Sequence, residues 1–177
     1  MIAPYSAEQL IETDRIKIRL SALNDCSPEI AHGHLMRCCG SSTWAHLMTK
    51  ARPFSTITEL EDAADRAWAA CSQEDWLEAF SAHPRIGQQS SNHWSRQEQS
   101  GVVSAPPEIR AALAEANRRY EAKFGYIFIL CATDRTAEEA LEMLQERLRN
   151  TPQAEIQNAA GQQRLITRLR LRKLLDE

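Results

Sequence analysis

The sequence predicts a compact, mostly α-helical protein, and three observations lead to this prediction. The 177 residues include only 6 Gly and 7 Pro, whereas Ala, Leu, Glu, Gln and Arg, which favour helices, are abundant. Apolar residues recur at steps of three and four along several segments. Residues typical of helix caps stand just before these segments. Together these features argue against an all-β fold.

Capping residues mark where individual helices begin and end. Ser27 before Pro28 is typical of an N-cap followed by proline in the first turn, and Gly40 is a suitable end for this helix. Thr-x-x-Glu patterns, which are typical of capping boxes, begin at Thr56 and Thr136. We therefore expect helices to start at these three points.

The clearest amphipathic helix follows Pro107 and ends at Gly125, because glycine often closes helices in the left-handed conformation. A last helix should begin at Thr151-Pro152. We interpret its basic stretch, residues 164–173, as the solvated face of a docked helix.

Two stretches interrupt the helical pattern. A helix over residues 73–80 is followed by His83-Pro84-Arg85-Ile86-Gly87, and the polar residues up to about His93 predict a surface loop. Apolar residues run without interruption from Tyr126 to Ala132, a stretch too short for periodicity to distinguish a strand from a helical segment. We expect this run to be buried and extended or irregular.

Length and charge favour a cytoplasmic domain with a small-molecule partner. The chain of 177 residues suits one domain spanning residues 1–177. Its 21 basic and 24 acidic residues are interspersed up to the last stretch, which argues against nucleic acid and membrane partners. No apolar run reaches the roughly 18 residues of a membrane span, and the N-terminus lacks the features of a secretory signal.

The cysteines could form disulfides, and the cysteines and histidines together could bind a metal ion. Their spacing favours neither. The odd number of cysteines, 5, without a C-x-x-C spacing suits reduced thiols. We interpret Cys38 and Cys39, at an apolar helix end, as inert rather than nucleophilic. On a helix His32 and His34 would point about 200° apart, so one ion could not bind both. We predict no metal. A metallohydrolase that uses His32, His34 and His46 remains an alternative.

His83 and Glu98 are the residues most suited to proton transfer. A histidine before proline is held out of the α region and projects from a fixed bend, although it could equally be a structural turn residue. Ser95 and Glu98, three residues apart, would share one helix face, but the same spacing is typical of a capping box. Taken singly, these patterns leave both interpretations open.

An ordered set of motifs resembles the 2-oxo-4-hydroxy-4-carboxy-5-ureidoimidazoline (OHCU) decarboxylase family over nearly the whole chain. The motifs are Cys38-Cys39-Gly40-Ser41, Arg52-Pro53-Phe54, Trp76-Leu77-Glu78-Ala79-Phe80, His83-Pro84-Arg85-Ile86-Gly87, Trp94-Ser95 with Glu98-Gln99, and Lys123-Phe124-Gly125-Tyr126-Ile127-Phe128-Ile129. Arg147-Leu148 with Asn150 and the terminal Leu169-Arg170-Leu171 extend the similarity.

The resemblance implies an all-α, single-domain bundle of roughly eight helices that forms a homodimer. It also implies a carboxy-lyase of purine metabolism, which acts in urate degradation without a cofactor and releases CO₂ to give (S)-allantoin. His83 would be the catalytic histidine and Glu98 its acidic partner. The implied substrate contacts are Pro84, Ser95, Arg96, Gln97, Glu98, Gln99, Phe128, Ile129, Leu130, Cys131 and Ala132, with Arg135 as a candidate anion contact.

Two positions depart from the family's pattern. Relatives read Gly-Arg where this chain has Asp134-Arg135, and a Glu is common where the last helix carries Gln162-Gln163. The alternative to catalysis is a helical protein-binding module, in which His83 and Glu98 are only turn and cap residues and residues 90–97 contact a protein.

Overall fold

The computed structural model describes residues 7–88 and 92–177, and within them the protein is all-α, as predicted. These residues form ten α-helices and no β-strand. The helices are α1 (Ala7–Asp25), α2 (Pro28–Cys39), α3 (Ser42–Lys50), α4 (Ile57–Ala69), α5 (Gln73–Ser81), α6 (His93–Glu98), α7 (Ser100–Val103), α8 (Pro107–Phe124), α9 (Ala137–Arg147) and α10 (Pro152–Asp176). The count exceeds the roughly eight expected because α6 and α7 are short helices that pattern alone does not reveal.

The predicted helix ends are confirmed, because each depends on atoms within a few residues of the cap. The Ser27 hydroxyl accepts from the N–H of Ile30 at 3.4 Å. Thr136 and Glu139 form a reciprocal capping box. Gly40 and Gly125 close α2 and α8 with φ values of 81° and 82°.

Two compact units make up the chain. The first comprises the residues up to Cys71 together with Thr167–Glu177, and the second comprises Ser72–Ile166. In the first unit, the indole N–H of Trp44 donates to the carbonyl of Ala64 at 3.0 Å. The Arg52 guanidinium donates to carbonyl oxygens at the end of α1, including that of Leu23 at 2.7 Å, and so satisfies acceptors that a helix end leaves open.

The second unit has an aromatic centre. The ring of Tyr120, on α8, contacts those of Phe124, Tyr126 and Phe128, with centroid distances of 4.7, 5.9 and 5.2 Å. Aliphatic residues of α7, α8 and α9 complete this core, which also contains Ile86. The stretch 84–88 is therefore not wholly a surface loop, since Ile86 is only 5% exposed.

The cysteines are reduced, as the sequence predicts, and two of them are deeply buried. All five cysteines are free thiols. Burial raises the pKa of the Cys39 thiol to about 12, and burial likewise raises the pKa of Cys38. Both side chains are therefore poor nucleophiles at neutral pH.

No helix in the described part of the chain combines the length and apolarity needed to cross a bilayer.

Candidate active site

His83 lies in the bend that follows α5. Its backbone N–H donates to the carbonyl of Phe80 at 3.1 Å, which ends the helix, and Pro84 prevents the helix from continuing. The imidazole is half-buried, and its Nε2 atom is shielded from solvent. The bend thus holds the imidazole with its Nε2 atom away from solvent.

Two long-range hydrogen bonds fix the turn that follows His83. The N–H of Gly87 donates to Oε1 of Gln99 at 3.0 Å. The Nδ2 group of Asn117, on α8, donates to the carbonyl of Ile86 at 3.2 Å. Gly87 has φ of 84°, a conformation in which a Cβ atom is strained. The turn is therefore defined by partners outside it as well as by its own sequence.

Helix α6 carries the second group of predicted site residues. Its N-cap is Asn92, whose Oδ1 accepts from the N–H of Ser95 at 3.2 Å. Ser95 lies inside the helix, so the alternative that Ser95 and Glu98 form a capping box is wrong. Ser95 and Gln99 are buried and Glu98 is half-buried. The structure places Arg96 and Gln97, by contrast, on the exposed surface.

Helix α7 brings this region against the backbone at Arg135. A Cβ atom added to Gly101 would lie 2.5 Å from the carbonyl oxygen of Arg135, closer than real Cβ contacts come. The absence of a side chain at Gly101 therefore permits the close approach of α7 to the end of the apolar segment.

The apolar segment 126–132 is neither helix nor strand, and its side chains are largely buried, as predicted. Its backbone is held by side chains from elsewhere in the second unit. Nη1 of Arg147 donates to the carbonyl of Ile129 at 2.8 Å. Oε1 of Gln162 accepts from the N–H of Cys131 at 3.0 Å. Nε of Arg135 donates to the carbonyl of Cys131 at 3.2 Å. Part of the Arg135 guanidinium is therefore bonded to the main chain.

Several buried N–H groups of the segment, those of Phe128, Ile129, Leu130 and Ala132, have no partner among the residues that the structure describes. Leu130 and Ala132 are each 4% exposed, yet neither N–H is hydrogen-bonded to another residue within 7–88 and 92–177. Nearly all buried backbone N–H groups in proteins have a partner. These two donors are therefore suited to bind an acceptor such as a ligand carbonyl.

A buried ion pair with Glu155 holds the Arg147 side chain that bonds to this segment. Nε of Arg147 donates to Oε1 of Glu155 at 2.8 Å, and Nδ2 of Asn150 donates to Oε2 at 2.7 Å. The hydroxyl of Tyr120 also donates to Glu155, and burial raises the pKa of that phenol. The Arg147 guanidinium also stacks on the Phe128 ring, with its central carbon 4.6 Å from the ring centroid.

Two residues that hold the site, Asn117 and Glu155, do not stand out in the sequence. The sequence alone indicates no function for Asn117 or Glu155, since each looks like an ordinary polar position of a helix. A polar residue on the apolar stripe of α8, such as Asn117 between Leu113 and Tyr120, is the signal that could have revealed one of them. Glu155 lies in the first turn of α10, where an acidic residue is expected for the helix dipole alone.

A cleft of about 340 Å³ lies beside the same turn. It is lined by residues 85–88 and by α8 side chains from Arg110 to Glu121. Arg85 and Glu121 form an ion pair at 2.6 Å, and the hydrogen bond to Glu121 raises the pKa of Arg85. None of the predicted catalytic or substrate-contact residues lines this cleft. Among the described residues, no group of three or more His, Cys, Asp or Glu is placed to hold a metal ion.

The three predicted stretches are therefore joined by contacts within one unit. Residue 87 is bonded to residue 99, and residue 101 lies against residue 135. The rings of Phe80 and Tyr126 are 5.4 Å apart between centroids, which connects α5 to the apolar segment. The direct meeting of the His83 imidazole with the Glu98 carboxylate stays a prediction.

Comparison with known proteins identifies the relatives. A family model described as OHCU decarboxylase matches residues 24–172. The uric acid degradation bifunctional protein TTL of Arabidopsis thaliana is 39% identical over 157 residues, which cover 84% of this chain and 48% of that protein. The 2-oxo-4-hydroxy-4-carboxy-5-ureidoimidazoline decarboxylase of Halalkalicoccus jeotgali is 28% identical, over 75% of this chain and 74% of its own length. The chain thus spans about half of the first relative and about three-quarters of the second.

Solved structures show the same fold. A crystal structure of OHCU decarboxylase in the presence of (S)-allantoin has a TM-score of 0.75 and 38% identity, covering 86% of this chain and 100% of that chain. A crystal structure of (S)-allantoin synthase, at 22% identity and a TM-score of 0.70, covers 88% of this chain and 53% of that chain and supports the fold. With most of its length matched by the family model, the chain belongs to the OHCU decarboxylase family.

Proposed function

We propose that this chain catalyses the cofactor-free decarboxylation of 2-oxo-4-hydroxy-4-carboxy-5-ureidoimidazoline to (S)-allantoin in urate degradation. Family membership supports the reaction. The observation that supports this location for it is the hydrogen bond from Gly87 to Gln99, which joins the turn after His83 to the residue after Glu98.

The substrate's own structure makes a cofactor unnecessary. The carbon that loses CO₂ bears a hydroxyl group and adjoins a C=N unit. When the C–C bond breaks, its electron pair moves through this unit onto nitrogen, and a proton is then added at carbon. Many other decarboxylases need pyridoxal phosphate, thiamine or a metal for this electron sink. The protein must therefore orient the ring and transfer protons.

In this proposal His83 exchanges a proton with the substrate hydroxyl or with the developing carbanion. Imidazole suits either role because it titrates near working pH. Glu98 orients the imidazole or takes part in the transfer. The fixed bend at Pro84 and the braced turn after it limit the positions that the imidazole can occupy, which favours reaction at one face of the ring.

Hydrogen bonds hold the ring in this proposal. The N–H groups of Leu130 and Ala132 donate to the ring carbonyl and the ureido group. Gln99 contributes its Nε2 group as a donor, because its Oε1 atom accepts from Gly87. The Ser95 hydroxyl can donate or accept. The Nη groups of Arg135 are candidates for the substrate carboxylate, since its Nε donates to the backbone.

Four further properties belong to this proposal. Both compact units form one domain, which the continuous family match over residues 24–172 supports. The chain forms a homodimer, and it acts in the cytoplasm. The reaction itself requires no metal ion.

The experiment supplies freshly generated OHCU to the purified protein and follows the circular dichroism of allantoin. We expect (S)-allantoin to form faster than in buffer alone. Racemic product formed at the rate of the spontaneous reaction would overturn the proposed function and favour the protein-binding module. Loss of activity with a chelator would instead support the metallohydrolase alternative.

A further inference from the structure

We infer that Gln162 is a positioning residue for the substrate-binding backbone, an inference that rests on the proposed function. Its Oε1 atom accepts the N–H of Cys131 at 3.0 Å across 31 residues of sequence. Gln162 lies on α10 and is half-buried. It therefore acts through the apolar segment.

Two side chains bond to the backbone of this segment close to its available donors. These side chains, from α9 and α10, use atoms of Ile129 and Cys131. The N–H groups of Leu130 and Ala132 are not bonded to any residue that the structure describes. These side-chain bonds limit how the peptide groups between Ile129 and Ala132 rotate.

Gln162 fixes the peptide N–H of Cys131. The Cys131 N–H lies between the donors of Leu130 and Ala132, and its acceptor determines how the flanking peptide groups are rotated. If the acceptor is removed, the Cys131 N–H loses this partner, and the peptide turns toward another acceptor. The donors of Leu130 and Ala132 then no longer keep the directions in which they bind the substrate.

The side chain at this position needs only to accept a hydrogen bond. A glutamate carboxylate has the same reach and also accepts from an N–H group. Methionine has a similar length and flexibility but only a weak acceptor. The pair Q162E and Q162M therefore separates hydrogen bonding from packing, and the exposed Gln157 on the same helix provides the matched control Q157M.

The test measures KM and kcat of the four proteins in the OHCU assay. Q162M should raise KM roughly tenfold, the value expected when one oriented hydrogen-bonding group is lost, while Q162E and Q157M stay near the wild type. A purely structural role would reduce the amount of active enzyme and hence the apparent kcat, with KM unchanged.

The outcomes distinguish this inference from the proposed function. An active wild type with an unchanged KM in Q162M would overturn the inference alone. A raised KM in Q162M that Q162E shares would also overturn it, because hydrogen-bond acceptance would then not be the property that matters. An inactive wild type would overturn the proposed function and the inference with it.

Discussion

The N–H of Gly87 and the Oε1 atom of Gln99 are 3.0 Å apart, and this hydrogen bond joins the bend at His83 to the end of the helix that carries Glu98. It depends on Gly87 in a left-handed conformation, with φ of 84°. The arrangement of the candidate acid–base pair therefore depends on the backbone of one glycine.

Gly87→Ala should lower both stability and activity. The nearest side-chain atoms would be 4.0 Å from the new Cβ atom, so the effect comes from backbone strain rather than a clash. We expect a loss of about 1–2 kcal/mol in the free energy of unfolding. Chemical denaturation measures it, and Gly33→Ala, within α2, is the control that should not destabilise the protein. Equal stability of the two variants would contradict the prediction.

His83→Asn should reduce turnover by roughly 10²- to 10⁴-fold, because a positioned acid–base group contributes about this much. The fold should be retained, since the imidazole is only half-buried. His93→Asn, at an exposed position of α6, is the matched control and should keep normal activity. The OHCU assay measures both. Near-normal turnover of His83→Asn would remove His83 from the chemistry.

Gly101→Ala should displace α7 from the end of the apolar segment. The new Cβ atom would lie 2.5 Å from the Arg135 carbonyl, a backbone atom that cannot rotate away. We expect a cost of about 1–3 kcal/mol in thermal unfolding, together with weaker substrate binding. Gly161→Ala, which has nothing within 4 Å of its Cβ position, provides the control. Similar melting temperatures for the two variants would argue against a close packing at Gly101.

Glu155→Gln should destabilise the protein by about 3–5 kcal/mol, because it leaves the buried Arg147 charge without its partner. The side chain of Glu155 is 0% exposed and that of Arg147 is 9% exposed. Glu115→Gln, which removes an exposed ion pair with Arg118, should change stability little. Urea denaturation compares them. If the double variant Arg147→Met, Glu155→Leu were no more stable than Glu155→Gln, the unpaired charge would not be the cause.

Alkaline pH should destabilise the first compact unit. The Cys39 thiol has a pKa raised from 9.0 to about 12 by burial, so between these values the native state keeps a proton that the unfolded chain releases. The free energy of unfolding should therefore fall as pH rises above about 9. Denaturation at pH 8 to 10 measures the slope, and Cys39→Ala should reduce it. The same slope in that variant would assign the effect to other groups.

Local capping made many helix ends predictable. The Thr136–Glu139 box and the glycine at position 125 act within one helical turn, so the residue types suffice to place them. The order of motifs also indicated the family, which the comparisons confirm. Helix α6 was harder, because its cap is Asn92, in a polar stretch where a different pair three residues apart offered the same signal.

The sequence by itself determined the helical class, most of the helix ends and the family, because these depend on residue types at short, regular spacings. Only the tertiary structure decided which partners hold the candidate site: Gln99 for Gly87, Arg147 for Ile129 and Gln162 for Cys131. Each is a bond between a side chain and a distant backbone atom. Such bonds leave no periodic pattern in a sequence, because every peptide group offers the same donor and acceptor and only folding selects among them.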